Sequence, residues 1–548
     1  MLRITDLTAR YPGRPHPALS AVSLALSRGD RVLLLGPSGS GKTTLVLALA
    51  GIIPHVLPAE IEGTVTVDGV DTRTALPAAL ARLVGVVFQD PDAQICMSTV
   101  EEEVAFGLEN LGVPPETMDT RISAALDAVG MARRRTSRTD RLSGGLRQRL
   151  VLAAVLAMGT PTLELDEPTA HLDPQGTREF FAALAHLGPP GCLLIEHKLE
   201  HAMPLVTRVV ALGSDGRVLV EGDPATVFGR HAGLLEAHGI WLPPATRVVR
   251  AAGLDDEALT LHDLTALAKS RPSVAERLVE ALPVPRHPVP DGPAAIDIRS
   301  LSHTYPRGAT ALREVSLRVS EGDFLALVGS NGSGKTTLTL HLAGILRPPS
   351  GRVFVLGHDM AETPAREVAG LVGYVFQNPE HQFVAETVLD EVQYSLRVRG
   401  VGDQESLARA GEMLRRFGLA AVADRHPYRL SNGEKRRLSV ATVLIAAPRV
   451  VVLDEPTFGQ DAQTNQDLLM DMARLNEQGV TILMITHDME AVWQFARSVA
   501  IIHEGQIVHQ GPVAELPYHS ERLEAASLDL PFAVRCRDAL SRVRFATS

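Results

Sequence analysis

The chain has 548 residues, 45% apolar and 21% charged, with a formal net charge of −11 from 53 basic and 64 acidic side chains. That length exceeds one ordinary core, the composition is that of a globular protein, and the acidic balance excludes a broad basic footprint for nucleic acid. Three cysteines, Cys96, Cys192 and Cys536, are too far apart for a disulfide framework or a CxxC metal site, which fits a reducing compartment.

The N-terminal MLRITDLTARYPG lacks the charged-then-apolar pattern of a secretion signal. No apolar run approaches the roughly 18 residues that span a bilayer; the longest, around Leu150–Met158 and Leu438–Ala447, suit buried helices. A cytoplasmic protein is expected, which must dock onto another subunit if it works at a membrane.

In chain order, the first strong element is an apolar run, RVLLLG (Arg31–Gly36), of the kind buried parallel strands require. It enters a glycine-rich loop, Gly36, Pro37, Ser38, Gly39, Ser40, Gly41, Lys42, Thr43 and Thr44, and an apolar helix is predicted over Thr44–Ala50. Strands follow at Thr162–Leu165 and Cys192–Ile195. The same order returns later: strand Phe324–Gly329, loop Gly329, Ser330, Asn331, Gly332, Ser333, Gly334, Lys335, Thr336 and Thr337, helix Thr337–Ala343, strands Val450–Leu453 and Thr481–Ile485. Strand–loop–helix repetition of this kind predicts α/β domains with a mostly parallel sheet covered by helices.

The repetition is a duplication. The glycine loops are offset by 293 residues, Gln89 and Gln377 by 288, Ser143 and Ser431 by 288, Asp166 and Asp454 by 288, His197 and His487 by 290. A period so long predicts two independently folding copies rather than a solenoid. Copy one is placed at 1–235 and copy two at 295–520. Between them, 236–294 holds a helix-like stretch (Leu254–Leu282) and a five-proline extended tether, LPVPRHPVPDGP. Residues 521–548 read as a short helical tail.

Both loops match G-x-x-x-x-G-K-[ST], where glycines let backbone N–H groups curl around phosphate oxygens at a helix N-terminus. Lys42 and Lys335 would hold the β- and γ-phosphates; Thr43 and Thr336 would ligate Mg²⁺. Only five of the 53 basic residues are lysine, and two of the five sit in these loops, which argues against chance. A mere glycine turn before a helix would not appear twice, each time behind a buried strand. At the ends of later strands, Asp166 and Asp454 can bind Mg²⁺, while the adjacent Glu167 and Glu455 point elsewhere and can orient or deprotonate attacking water. Alone, each Asp-Glu pair would read as a solvated acidic turn.

With LSGG, an aromatic–Gln segment, DEPT and a downstream His, both halves resemble the ATP-binding cassette (ABC) family over nearly their whole length. The resemblance implies two tandem P-loop NTPase cassettes, each with a RecA-like parallel-sheet core, a helical subdomain and a small antiparallel β region. It also implies ATP hydrolysis and an intramolecular head-to-tail pairing, in which each ATP lies between the phosphate loop of one half and the signature of the other. By position, Tyr11 and Tyr305 would stack on adenine, and Gln89 and Gln377 would sense Mg²⁺ and touch a membrane partner. Ser143, Gly144 and Gly145, with Ser431, Asn432 and Gly433, form the signatures. Asp173 and Asp461 end the loop that crosses between halves, and His197 and His487 would contact the γ-phosphate.

The segments FQDPDAQ and FQNPEHQF add a second glutamine, Gln94 and Gln382, and with LSNGEKRR and DEPTFGQD they resemble the ATPases of energy-coupling factor (ECF) importers of vitamins or transition-metal ions. This implies integral membrane coupling and substrate-binding subunits as partners, no nucleic acid, and a peripheral location on the cytoplasmic face of the cell membrane. Sugar or peptide importer ATPases and twin-cassette translation factors are the competing readings. The proline tether is unlike the charged arm of the latter. Departures from the family pattern are Leu146 after LSGG, Asn432 in the second signature, Glu164 inside an apolar strand and Glu196 before His197; they predict unequal sites. The cluster Arg133–Arg141 reads as a solvated helix end, with lipid headgroups or an acidic partner as the alternative.

Overall fold

The computed structural model describes residues 2–170, 172–186, 191–286, 288–306, 308–457 and 459–547. His287 of the proline tether, Phe458 of the second DEPTFGQD and Ser548 of the tail lie outside them. The chain divides into two compact units: Met1–Leu282 with Asp461–Gln463 and Cys536–Ser548, and Pro283–Gln460 with Thr464–Arg535.

In the first unit a six-stranded sheet has Arg31–Leu35 near its centre, flanked by Gly191–Ile195 and Arg208–Leu212. Thr162–Asp166 and Val84–Val87 extend it on one side in parallel, and Val218–Gly222 closes the other edge antiparallel. The central strands are buried on both faces, as their unbroken Val/Leu/Ile runs require. One face packs on the helix Lys42–Leu49 and on a four-stranded antiparallel sheet that includes Leu2–Arg10 and Leu19–Leu26. The other packs on the helices Val100–Asn110, Pro115–Ala128 and Gly144–Met158. Each fully buried Leu or Val in these layers contributes about 1.5–3 kcal/mol, so the sheet holds its strand ends in fixed register.

The second unit repeats this plan. Its six-stranded sheet runs Val372–Val375, Val450–Asp454, Thr481–Ile485, Phe324–Val328, Ser498–His503, Gln506–Pro512, with only the last strand antiparallel. Its antiparallel sheet includes Ala294–Thr304 and Thr310–Ser320, and its helical part includes Val388–Val398, Asp403–Arg416 and Asn432–Leu444. The expected parallel cores with small antiparallel sheets are therefore present twice.

Local details sharpen the expected boundaries. The loop helices begin at Lys42 and Lys335, two residues before the expected Thr44 and Thr337. Gly41 (φ 92°) and Gly334 (φ 106°) take left-handed N-cap conformations, which turn the chain directly into the helix. A Cβ at Gly41 would meet the Ala18 carbonyl oxygen at 2.4 Å, and one at Gly334 the Ala311 oxygen at 2.5 Å. The stretch before the tether forms the helices Pro244–Ala251, Leu261–Ser270 and Pro272–Glu280, the second started by a Thr260–Asp263 capping box. The tail holds two helices, Ser520–Ala525 and Phe532–Thr547.

Candidate nucleotide site

In each cassette the parallel strands deliver their C-terminal ends to one rim, where loops in α/β sheets bind ligands. In the first, the Lys42 ammonium donates to the carbonyl oxygens of Gly36 (2.8 Å) and Pro37 (3.0 Å). In the second, Lys335 donates to Gly329 and Ser330, both at 2.8 Å. Each lysine thus lies back along its own loop, inside the curl that backbone N–H groups form around an anion. Burial lowers the Lys42 pKa, and the nearby Glu167 and Asp166 carboxylates oppose that shift. Ser40 and Ser333 are buried beneath the loops, where their N–H groups donate to the Pro37 and Ser330 carbonyl oxygens at 3.2 Å.

The acidic strand ends take two directions. Asp166 ends its strand and accepts a hydrogen bond from Thr43; Asp454 accepts from the Thr336 hydroxyl at 3.2 Å. A hydroxyl and a carboxylate oxygen converging beside a phosphate loop are the hard oxygen donors Mg²⁺ takes, so the residues fit that ion. Burial, then the neighbouring glutamate, pushes each aspartate up to about 6. Glu167 (φ 48°) and Glu455 (φ 46°) sit one residue on in the left-handed region, an unfavourable conformation for a side-chain-bearing residue. Their N–H groups donate to Ile195 and Ile485, continuing the sheet while the side chains leave its alternation.

Both glutamates meet the expected histidines. His197 Nε2 lies 2.9 Å from Glu167 Oε1, and Gln89 Nε2 donates to Glu167 Oε2 at 2.8 Å. His487 Nδ1 lies 3.0 Å from Glu455 Oε1. Glutamate, glutamine and histidine thus arrive from three separate strand ends around one carboxylate in the first cassette. The Gln377 backbone is held differently: Arg436, buried and with its pKa lowered to about 10 by that burial, donates to the carbonyls of Phe376 and Gln377. Tyr11 and Tyr305 hydroxyls reach Thr44 (3.3 Å) and Thr337 (3.1 Å), which fixes each ring beside its phosphate loop.

The two signatures differ in a way their sequences foreshadow. Ser431 caps Asn432–Leu444 in a capping box: its hydroxyl donates to Glu434 Oε2 at 2.8 Å and accepts from the Glu434 N–H at 3.4 Å. Ser143 caps Gly144–Met158 without a side-chain bond, because Leu146 stands where Glu434 stands and offers no carboxylate. The first signature therefore presents its hydroxyl and helix N-terminus without a competing negative charge.

Several residues contribute beyond the roles their sequence positions suggest, and two of them, Lys198 and Tyr374, had no expected role. Glu196, buried, accepts from the N–H groups of His197 (2.8 Å) and Lys198 (2.9 Å) and from the Thr169 hydroxyl (2.5 Å). Lys198 donates to the carbonyls of Thr169 (3.1 Å) and Leu172 (2.9 Å), in the turn between Glu167 and Asp173. In the second cassette Thr486 and Asp488 cap their own helix start instead. The signal was available: Lys198 is one of only five lysines. Tyr374, which donates to Asp454 at 3.2 Å, carried none. Gln94 Oε1 accepts from Phe88 N–H (2.7 Å) and its amide donates to the Val86 carbonyl (3.0 Å); Gln382 donates to Ser439 and Thr442, both at 2.8 Å. These second glutamines lock the loop that carries Gln89 or Gln377.

Set beside known proteins, residues 19–170 and 312–458 match the sequence profile of the ABC transporter family. The chain is an ABC transporter ATP-binding protein with two cassettes. It is 36% identical over 539 residues to the "Putative HMP/thiamine import ATP-binding protein YkoD" of Bacillus subtilis, covering 97% of this chain and 95% of that one. An ABC transporter ATP-binding protein of Methanosarcina acetivorans is 37% identical over 549 residues, covering 97% and 89%. A solved structure of cbiO1 from Clostridium perfringens, described as part of the ABC transporter complex cbiONQ, is 28% identical, covering 45% of this chain and 99% of its own with a TM-score of 0.39. As an ABC ATPase, the protein binds ATP and hydrolyses it to ADP and phosphate. Among its described residues no helix is long and apolar enough to cross a membrane.

Proposed function

We propose that this ABC ATPase energises an importer of the ECF type, working at the cytoplasmic face of a membrane beneath integral coupling and substrate-binding subunits. The observation that carries the reading is the end-to-end match, through both cassettes, with a relative whose name assigns it to HMP/thiamine import. The two FQxPxxQ segments support it, since each second glutamine is hydrogen-bonded behind its segment, and in the first cassette the preceding Gln89 reaches Glu167. Vitamins or transition-metal ions are the cargo class. Mg²⁺ is the cofactor, held by Thr43 and Asp166 and by Thr336 and Asp454, with Gln89 and Gln377 beside it; it supplies charge neutralisation on the phosphates.

In this reading the cassettes pair head to tail, Lys42 with Ser431 and Lys335 with Ser143, and the carboxylates of Glu167 and Glu455 orient attacking water. Released from its histidine partner, and in the case of Glu167 from Gln89 as well, each carboxylate accepts the water's proton, while amides and lysine stabilise charge on the phosphoryl oxygens. Affinity purification of the intact chain from membranes tests the proposal. Multi-span membrane proteins should co-purify and stimulate ATP turnover; co-purification with ribosomes and no integral protein would overturn it.

A further inference from the structure

Outside the nucleotide sites, the edge of the second sheet carries a cluster that ATP chemistry does not use. His509 lies on the edge strand Gln506–Pro512, and Glu515 and His519 lie on the 3₁₀ turn Val513–His519 that follows directly. One donor atom from each of the three residues lies within 4.8 Å of the other two, and the imidazole centroids are 3.9 Å apart. His509 Nε2 is buried and has no hydrogen-bond partner among the described residues. A Cβ built on Gly511 would lie 3.1 Å from Glu515 Oε2 and 3.3 Å from His509 Nε2. Both donors therefore lean over a space that only the absence of a side chain at 511 keeps open.

We propose that His509, Glu515 and His519 form a binding site for a borderline divalent transition-metal ion of the zinc class. Two imidazoles and one carboxylate suit such an ion, with water in the fourth position, whereas Mg²⁺ and Ca²⁺ prefer oxygen donors. Tetrahedral ligation at about 2.1 Å places donors about 3.4 Å apart, so the cluster closes by small side-chain rotations. Burial is the main cause holding the His509 pKa below its usual value, with His519 and Arg522 adding to it, so the ring is a neutral ligand near pH 7.

Arg522 opposes loading. Its guanidinium lies 3.2 Å from His509 Nδ1, a contact that keeps the ring proton on Nε2. Metal on Nε2 needs that proton moved to Nδ1, so the exposed Arg522 side chain must swing away. A bound ion would then cross-link the sheet edge to the turn leading into Ser520–Ala525.

Titration of the full-length protein with Zn²⁺ by calorimetry, and with Co²⁺ by visible absorption, tests the site. The wild type should bind one ion with nitrogen and oxygen ligation, and His509→Ala with His519→Ala should weaken it at least about tenfold. Glu515→Gln, at an exposed position, should weaken it without affecting folding, and Arg522→Ala should tighten it. Gly511→Ala should also weaken it, because its methyl enters the space between donors. Mg-ATP turnover serves as the folding control. Unchanged affinity in Glu515→Gln and the double variant, or a thiolate charge-transfer band with Co²⁺, would overturn the assignment.

Discussion

Glu164 shows how far a single side chain can depart from its surroundings. It is fully buried in the strand Thr162–Asp166, and neither carboxylate oxygen has a hydrogen-bond partner among the described residues. Burial, and secondarily Asp166, pushes its pKa well above the usual range, so the group is held protonated. The second cassette has Val452 there, paired with Tyr374, whose hydroxyl reaches Asp454. An unpartnered buried polar group costs about 1–3 kcal/mol, so Glu164→Leu should raise the melting temperature of the first cassette. The sign with pH follows from the raised folded pKa. Above the unfolded pKa near 4.5, ionisation favours the unfolded chain, so the wild type loses stability relative to the variant as pH rises towards the folded value. Melting curves at pH 5 and pH 8 should show the larger gain at pH 8. The acidic residue was conspicuous in the sequence, but its isolation was not, because only packing decides whether a partner comes within reach.

Among the elements, the turn between Glu167 and Asp173 is braced by Lys198, where the second cassette has Asp488. The Lys198 bonds run to two backbone carbonyls of the turn, while Glu196 gathers two N–H donors from the strand exit below and the Thr169 hydroxyl from the turn itself. Through these two bonds Lys198 holds the turn that follows Glu167, the part of a positioning residue. Lys198→Met should lower the ATP turnover number roughly tenfold, equivalent to ~1.4 kcal/mol, with the KM for ATP little changed and partial rescue by Lys198→Arg. Steady-state kinetics checks this; a raised KM with unchanged turnover would place the lysine in nucleotide binding instead. The strands and phosphate loops were legible as apolar runs and glycine spacing, because parallel strands buried on both faces tolerate few other residues. The helix starts were displaced by two residues, since the left-handed turns at Gly41 and Gly334 follow from close approach to distant carbonyls rather than from local propensity.

At the scale of the whole molecule, the duplicated units are alike in plan and unlike in chemistry. One signature serine is free of a capping carboxylate and the other is bound to Glu434; one site glutamine touches its glutamate, and the other lies in a loop held by Arg436. Glu167→Gln and Glu455→Gln should therefore reduce ATP turnover by unequal factors within the 10²–10⁴ range of general base catalysis. Single-turnover assays on each variant measure the difference, and equal losses would show that the local asymmetry is without kinetic consequence.

Residue order alone was enough for the duplication, the parallel cores, both phosphate loops and the family, because those features rest on short-range rules: burial patterns, glycine geometry and motif spacing. What residue order left open was which side chains share a partner. The Glu167–His197–Gln89 cluster, the Lys198 brace and the gathering of His509 beside Glu515 and His519 depend on where strands end and turns fold back. Hydrogen bonds and ligand shells form over about 3 Å, a length that separation along a chain does not measure and tertiary packing does.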